Sequence, residues 1–322
     1  MALTDEQAEW FATAAERLVV NVEQAVLGKR YVVKLVLTTL FSNGHVLLED
    51  APGTGKTLLA KSLAATLDGT TSRIQFTPDL LPSDVTGVSI YDQAKKKFEF
   101  RPGPIFATIV LADEINRASP KTQSALLEVM EEGHITVDGE EHTVGEPFMV
   151  IATQNPIEQA GTYALPEAQL DRFLIKTSIG YPDHQTLVAL VQDSANRARA
   201  SSIESIVRPE TIVQMSQLAD EVHVDAAIGE YVSELVTATR ASSQVLLGAS
   251  VRGALSLIRA AKTWAIMDGR TYVTPDDIRE LASPVLAHRL IIEPEADFSG
   301  VTAESIIASV VADVTPPAHR AL

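Results

Sequence analysis

Over residues 1–182, short and continuously apolar segments alternate with segments of helical apolar spacing. Three of the apolar segments are too hydrophobic for a sheet with one face in water, and such runs between helices indicate a parallel sheet covered on both faces. The predicted strands are Val46–Leu48, Arg73–Phe76, Thr108–Ala112, Phe148–Thr153 and Phe173–Ile179. The pattern therefore predicts an α/β core, preceded by a helix capped by Thr4 or Asp5 and by a second helix over about residues 31–42.

Two interruptions of this alternation read as β-hairpins. The first is predicted from Val88–Tyr91 and Phe98–Phe100, which flank a polar turn. The second is predicted from Ile135–Val137 and His142–Val144, with the turn signal Asp138-Gly139 at its tip. Neither shows an aromatic-hydrophobic tip in the sequence, so whether the hairpins contact partners or only pack on the core stays open.

The pattern changes after Tyr181-Pro182, where strand signals disappear. Thr274-Pro275-Asp276-Asp277 is a strong helix start, with a capping hydroxyl, proline at the first position and acids in the first turn. We predict two domains, an α/β core over 1–182 and an all-helical domain over 183–322. The helices predicted in the second domain are 187–199, 226–241, 251–268 and 275–290.

Composition narrows the class of protein. The 322 residues carry a formal net charge of −16, which argues against general affinity for nucleic-acid phosphates. The chain has no cysteine, which excludes disulfides and thiolate chemistry. No apolar run approaches the length of a membrane span, and the N-terminus lacks a signal-peptide pattern. We expect a cytoplasmic protein.

The strongest chemical signal follows the first predicted strand. Asp50-Ala-Pro-Gly-Thr-Gly-Lys-Thr57 joins that strand to a helix, the arrangement in which backbone N–H groups and a helix N-terminus cradle phosphates. Lys56 is expected to reach the β- and γ-phosphates, and the Thr57 hydroxyl to bind Mg²⁺. Asp50 departs from the motif, which begins with glycine. The residues predicted to hold ATP here are Pro52, Gly53, Thr54, Gly55, Lys56, Thr57 and Leu58.

Residues 26–28, ahead of this loop, have two open interpretations. They pack near an adenine base, or Gly28 only ends a helix between core elements.

Polar residues follow two further strands. Asp113 ends the strand before it and is expected to hold Mg²⁺, partly through water, while Glu114 is the candidate general base. Asn155 follows the strand predicted to lie between the two phosphate-site strands, where its amide could orient the attacking water. The alternative for Asn155 is a turn before a proline.

The combination of motifs resembles the MoxR family of AAA+ ATPases over about residues 22–290. The motifs that carry the resemblance are Glu49-Asp50, Asp113–Ala118, Gln123–Glu128, Ala152–Pro156, Leu165–Phe173 and Val285–Arg289. The family implies an AAA+ P-loop core with inserted hairpins, followed by an all-α lid. It also makes Asp50 a common variant of the first motif position.

The resemblance also implies roles for three positions. Asn155 matches the sensor-1 residue, Arg172 the arginine finger that reaches a neighbouring subunit's γ-phosphate, and Arg252 the sensor-2 arginine of the lid. Alternatives remain. Arg172 could pair locally with Asp171 or Glu167, Arg252 could face solvent, and Arg117 competes for the intersubunit role.

We therefore expect a Mg²⁺-dependent ATPase that works as a ring, which the family resemblance implies to be hexameric, and that remodels protein clients. A protein with a von Willebrand factor A domain is the companion that the resemblance implies. Three other functions are compatible with a phosphate loop: a nucleotide-switched binding module with little turnover, an AAA+ nucleic-acid motor or loader, and a P-loop small-molecule kinase. The acidic charge disfavours the motor, and Glu114 with Asn155 and Arg172 disfavours the switch.

Overall fold

The structure is a computed structural model that describes residues 3–51, 53–155, 163–192 and 203–317. The chain divides into two compact units, each discontinuous in sequence. Unit 1 comprises Met1–Glu16, Pro166–Lys176 and Gln214–Leu322, and unit 2 comprises Arg17–Leu165 and Thr177–Val213. The predicted domain boundary at 182/183 stays a prediction.

The helices and strands have the following bounds. The helices are α1 (Asp5–Glu23), α2 (Arg30–Phe41), α3 (Lys56–Thr66), α4 (Pro82–Thr86), α5 (Pro120–Glu132), α6 (Glu167–Leu170), α7 (His184–Gln192), α8 (Pro209–Asp220), α9 (Ala226–Ala241), α10 (Val251–Met267), α11 (Pro275–Leu286), α12 (Pro294–Phe298) and α13 (Ala303–Asp313). The strands are β1 (Val46–Glu49), β2 (Thr71–Gln75), β3 (Gly87–Asp92), β4 (Lys97–Pro102), β5 (Ile109–Asp113), β6 (His134–Val137), β7 (Glu140–Thr143), β8 (Met149–Gln154), β9 (Ile175–Thr177), β10 (Val245–Leu247) and β11 (Ile291–Ile292). The end of the predicted helix 187–199 lies outside the described residues.

The main sheet has the strand order β2-β5-β8-β1-β9. β5 runs parallel to β2 and β8, and β1 runs parallel to β8. Every residue of β5 is buried, and so are the first five of β8. Because successive side chains of a strand point to opposite faces, this burial means that both faces of the sheet are covered. The predicted α/β core with a parallel sheet is confirmed.

The parallel strands bring their carboxyl ends to one edge of the sheet. Register pairs Glu49 with Gln154 and Gln75 with Asp113. The chain segments that leave β1, β5 and β8 therefore start side by side, with β8 between the other two as the sequence predicted. This edge positions the candidate site.

Both predicted hairpins are present in unit 2, as β3–β4 and β6–β7. They contact each other, because the Phe100 ring stacks on the His142 ring with centroids 3.8 Å apart. Tyr91 lies opposite Phe98 and the two rings pack edge to face at 5.3 Å. Phe98 is 70% exposed. The sequence did not reveal this aromatic pair because its two rings come from different strands.

Unit 1 is largely helical, as predicted, with one short addition. α10 packs on α9 and α11, and α13 packs on α9 and α11. The predicted start of α11 is confirmed, since the Thr274 hydroxyl accepts from the Asp277 N–H and Pro275 is the first helical residue. β10 and β11 form a small antiparallel pair, too short to give a period in the sequence.

Within the described ranges, no helix combines the length and the apolar character needed to cross a lipid bilayer.

Candidate active site

The loop between β1 and α3 owes its path to two glycines. Gly53 has φ +84° and Gly55 has φ +99°. Residues other than glycine adopt this region of backbone conformation only with strain. A Cβ at either position would meet no atom within 4 Å. The requirement for glycine is therefore conformational, and it leaves open space above the loop. Pro52 lies outside the described residues.

Lys56 begins α3 and folds over its own loop. Its Nζ donates to the Asp50 carbonyl at 3.1 Å and to the Ala51 carbonyl at 3.2 Å. Thr57 and Leu58 follow in the first turn and are partly exposed. The ammonium group and the first N–H groups of the helix thus lie at the loop, where an anion is favoured.

Asp50 has a role that the sequence did not reveal. Its carboxylate accepts from the Ile179 N–H at 2.7 Å and from the Gly180 N–H at 2.8 Å, and the residue is only 4% exposed. The segment after β9 is fastened in this way to the start of the loop. At the position where the motif has glycine, Asp50 therefore holds the Ile179–Gly180 segment within unit 2.

Asp113 ends β5 and is held on both carboxylate oxygens. Oδ2 accepts from Arg73 Nη2 at 2.6 Å and Nε at 3.2 Å, and Oδ1 accepts from the Thr153 hydroxyl at 2.7 Å. The Arg73 side chain is 51% exposed, whereas that of Asp113 is 12% exposed. A carboxylate and a threonine hydroxyl supply oxygen ligands of the kind Mg²⁺ prefers, so the chemistry of Asp113 and Thr57 fits that ion.

Glu114 has an unusual backbone conformation, and one oxygen of its carboxylate accepts two hydrogen bonds. Its φ is +58°, and its N–H donates to the Thr153 hydroxyl at 2.9 Å. Oε2 accepts from Gln75 Nε2 at 2.8 Å and from Arg117 Nη1 at 2.9 Å. The competitor arginine of the sequence analysis, Arg117, therefore contacts Glu114 of its own chain.

Asn155 follows β8 and is 6% exposed. It comes two residues after Thr153, whose hydroxyl bridges Asp113 and the Glu114 backbone. The structure thus brings the phosphate loop, Asp113, Glu114 and the β8 terminus to one edge of the sheet in unit 2. The sequence analysis missed Arg73, Gln75 and Thr153, whose only signal was polarity at the ends of predicted strands.

The other two candidate arginines belong to unit 1. Arg172 follows α6, and its N–H donates to the Gln169 carbonyl at 3.2 Å. Arg252 lies in the first turn of α10, is half exposed, and has its Nε 3.9 Å from Asp171 Oδ2. Asp171 is engaged more closely by Arg289, at 2.7 Å from Nε to Oδ1. The candidate roles of Arg172 and Arg252 stay predictions.

Arg289 is buried in unit 1 and holds the segment around Asp171 and Phe173. Its side chain is 2% exposed and donates to the Phe173 carbonyl at 2.8 Å and to the Val285 carbonyl. Burial lowers the pKa of the Arg289 guanidinium, and Asp171 partly offsets that shift. Burial, with the adjacent Arg289 charge, lowers the pKa of His288 well below its ordinary value. His288 is therefore neutral here.

Comparisons with known proteins agree with this geometry. Residues 45–175 match the family "ATPase family associated with various cellular activities (AAA)", and residues 237–310 match the AAA lid domain. "Uncharacterized protein YeaC" of Bacillus subtilis is 47% identical over 94% of this chain and 95% of its own. "Chaperone MoxR1" of Mycobacterium tuberculosis is 40% identical over 95% of this chain and 83% of its own. The crystal structure of a putative ATPase from Cytophaga hutchinsonii aligns with a TM-score of 0.90 at 38% identity, covering 97% of both chains.

Proposed function

The chain belongs to the MoxR family of AAA+ ATPases, and from that premise we propose that it binds Mg²⁺ and ATP and hydrolyses ATP to ADP and phosphate. One observation carries the proposal. Three neighbouring parallel strands end in the phosphate loop, in the acidic pair Asp113-Glu114 and in the amide of Asn155. Positioning and charge stabilisation are most of what phosphoryl transfer needs, and these groups supply both.

The binding roles follow from where the groups lie. In this proposal the N–H groups of Gly53 to Leu58 surround the phosphates, and Lys56 leaves the two loop carbonyls to donate to phosphate oxygens. Thr57 and Asp113 hold Mg²⁺, partly through water. When bound, the ion neutralises charge on the phosphate oxygens.

Glu114 is the proposed general base for the attacking water, which Asn155 orients. In the structure the Glu114 carboxylate accepts from both Gln75 and Arg117. Hydrogen bonds to the charged form of a carboxylate make it a weaker base. Both donors bind Oε2, so Glu114 becomes a stronger base when it leaves at least one of them.

Arg172 and Arg252 are proposed to supply positive charge at the γ-phosphate, Arg172 from a neighbouring subunit and Arg252 as the lid's sensor. Such an arrangement makes hydrolysis depend on a ring assembly, which we propose to be hexameric. A relative carries the name chaperone. We propose accordingly that the ATPase cycle remodels or matures a protein client, with a von Willebrand factor A domain protein as companion, in the cytoplasm.

Phosphate release per subunit, measured with ATP and Mg²⁺ over a range of protein concentrations, tests this proposal. We expect a rate that rises with concentration as subunits assemble. Glu114→Gln should lower it about 100-fold or more while ATP still binds, and Arg172→Ala should lower it by about 1,000-fold. Glu9→Gln, on the exposed part of α1, is the matched control and should leave the rate unchanged.

Two outcomes contradict parts of the proposal. A rate that is independent of concentration and of Arg172 removes the intersubunit role of that arginine. ATP that binds to the wild type without being hydrolysed favours a nucleotide-switched binding module.

A further inference from the structure

One of the motifs that carry the family resemblance, Val285–Arg289, has no role in the proposed mechanism. Its last residue, Arg289, contacts the residues 171–174, which we call the finger segment because they contain Arg172. The finger segment directly follows α6, a helix of only four residues. A single helical turn has little stability of its own, so the position of the finger segment depends on what it contacts.

Arg289 holds the finger segment on both sides of Arg172. Ahead of that residue, Arg289 Nε donates to Asp171 Oδ1 at 2.7 Å and Nη2 to the Asp171 carbonyl at 3.3 Å. Beyond it, Nη2 donates to the Phe173 carbonyl at 2.8 Å and Nη1 to the Leu174 carbonyl at 3.4 Å. Because the guanidinium is a rigid planar group, these contacts fix the backbone around Arg172 and leave mainly its side-chain torsions to vary.

The first turn of α10 leaves room for this contact. A Cβ on Gly253 would lie 3.1 Å from Arg289 Cδ, so a larger residue at that position would push the arginine aside. Glycine weakens a helix relative to alanine, and here its small size keeps the path of Arg289 open. Asp171 Oδ2 also lies 3.9 Å from Nε of Arg252 on the same helix. The finger segment, α10 and Arg289 are therefore packed together within unit 1.

We propose that Arg289 is a positioning residue that fixes the orientation in which unit 1 presents Arg172 to the γ-phosphate of a neighbouring subunit. The inference rests on the proposed function, because it takes Arg172 as the arginine that acts between subunits. Arg289 itself does not touch the nucleotide. It acts through the backbone on both sides of Arg172, and a displacement of about 1 Å there is enough to slow the reaction about 100-fold.

The rate of ATP hydrolysis by Arg289→Lys is the first measurement. Lysine keeps the charge but not the planar fork, so it cannot keep the contacts on both sides of Arg172. The variant should be about 100-fold slower than the wild type, and the loss should lie mainly in kcat, because the finger acts in the transition state. Arg279→Lys makes the same change at a half-exposed arginine of α11 and should leave the rate unchanged.

Mixed rings then separate positioning from a merely structural role. Glu114→Gln subunits have inactive sites but intact finger segments, so they should restore activity to Arg289→Lys subunits. In equal, randomly mixed amounts, half of the sites keep Glu114 and half of those face an intact finger segment. The rate per subunit should then reach about a quarter of that of the wild type. An Arg289 that only stabilises the fold predicts no gain, because the neighbour cannot repair a damaged subunit.

A second variant covers the case in which Arg289→Lys does not fold. Asp171→Asn removes the charge that Arg289 binds but keeps an acceptor oxygen. It should lose less activity alone than Arg289→Lys and should recover in the same way when it is mixed with Glu114→Gln.

A parallel mixture of Glu114→Gln with Arg172→Ala distinguishes the inference from the proposed function. Recovery with Arg172→Ala but not with Arg289→Lys overturns the positioning role of Arg289. Recovery with neither variant contradicts the intersubunit role of Arg172, which belongs to the proposed function. A rate of Arg289→Lys close to that of the wild type, or a loss that lies mainly in the KM for ATP, also overturns the inference.

Discussion

Replacing Asp50 by alanine should loosen the segment after β9. The substitution removes the acceptor for two backbone N–H groups, those of Ile179 and Gly180. Ile179 is 3% exposed, so its N–H has no access to water in the folded unit, whereas Gly180 is less buried. A buried donor left unsatisfied costs about 1–3 kcal/mol, so the two together should cost about 2–4 kcal/mol.

Amide hydrogen exchange reports this change locally. A loss of about 2–4 kcal/mol corresponds to exchange that is roughly 30- to 900-fold faster at Ile179 and Gly180, since about 1.4 kcal/mol is a factor of ten. Asp50→Asn is the matched control, because the amide keeps one acceptor oxygen, and it should lose about half as much protection. Exchange in Asp50→Ala within about threefold of the wild type would refute the reasoning that Asp50 is an anchor.

Two further predictions concern unit 1. Arg289→Met should destabilise it by about 3–5 kcal/mol, because Asp171 loses its 2.7 Å partner in a buried setting. Arg252→Met removes only a half-exposed pair at 3.9 Å and should cost less than about 1 kcal/mol. Urea unfolding followed by the fluorescence of Trp10 and Trp264, both in unit 1, measures the two losses, and equal losses contradict the assignment. Burial lowers the pKa of His288, so the unfolded chain binds more protons, and stability should be fully present above pH 6.5 and fall by about 1.4 kcal/mol per pH unit as pH drops below it. His288→Gln should abolish that part of the slope, and an equal slope in the variant would disprove it.

Much of the fold was predictable because its signals are local and periodic. β5 and β8 are continuous apolar runs, and residues buried on both faces of a sheet leave that pattern whatever surrounds them. The four residues from Thr274 to Asp277 likewise predict the start of α11, with a capping threonine followed by proline at the first helical position. Gly53 and Gly55 mark the phosphate loop because only glycine adopts its backbone without strain.

The contacts that hold the site were not predictable, because they depend on which strands become neighbours. Arg73 reads as a polar residue at the start of a strand until the register of β2 with β5 brings it to Asp113. In the sequence, Asp50 is only a mismatch to the first position of the phosphate-loop motif. Its role depends on the backbone N–H of Ile179, which lies 129 residues further on and donates to its carboxylate. Arg289 meets Asp171 over a separation of 118 residues.

The discontinuity of unit 1 has a consequence for synthesis on the ribosome. All of unit 2 has been translated by residue 213, whereas the last segment of unit 1 begins at residue 214. The first segment, Met1–Glu16, carries Ala8 and Phe11, which are fully buried in the finished unit. The roughly 200 residues that follow take about 10 to 40 seconds to translate at 5–20 residues per second. During that interval the apolar face of this helix is exposed on the nascent chain, because the last segment of unit 1 has not yet been translated.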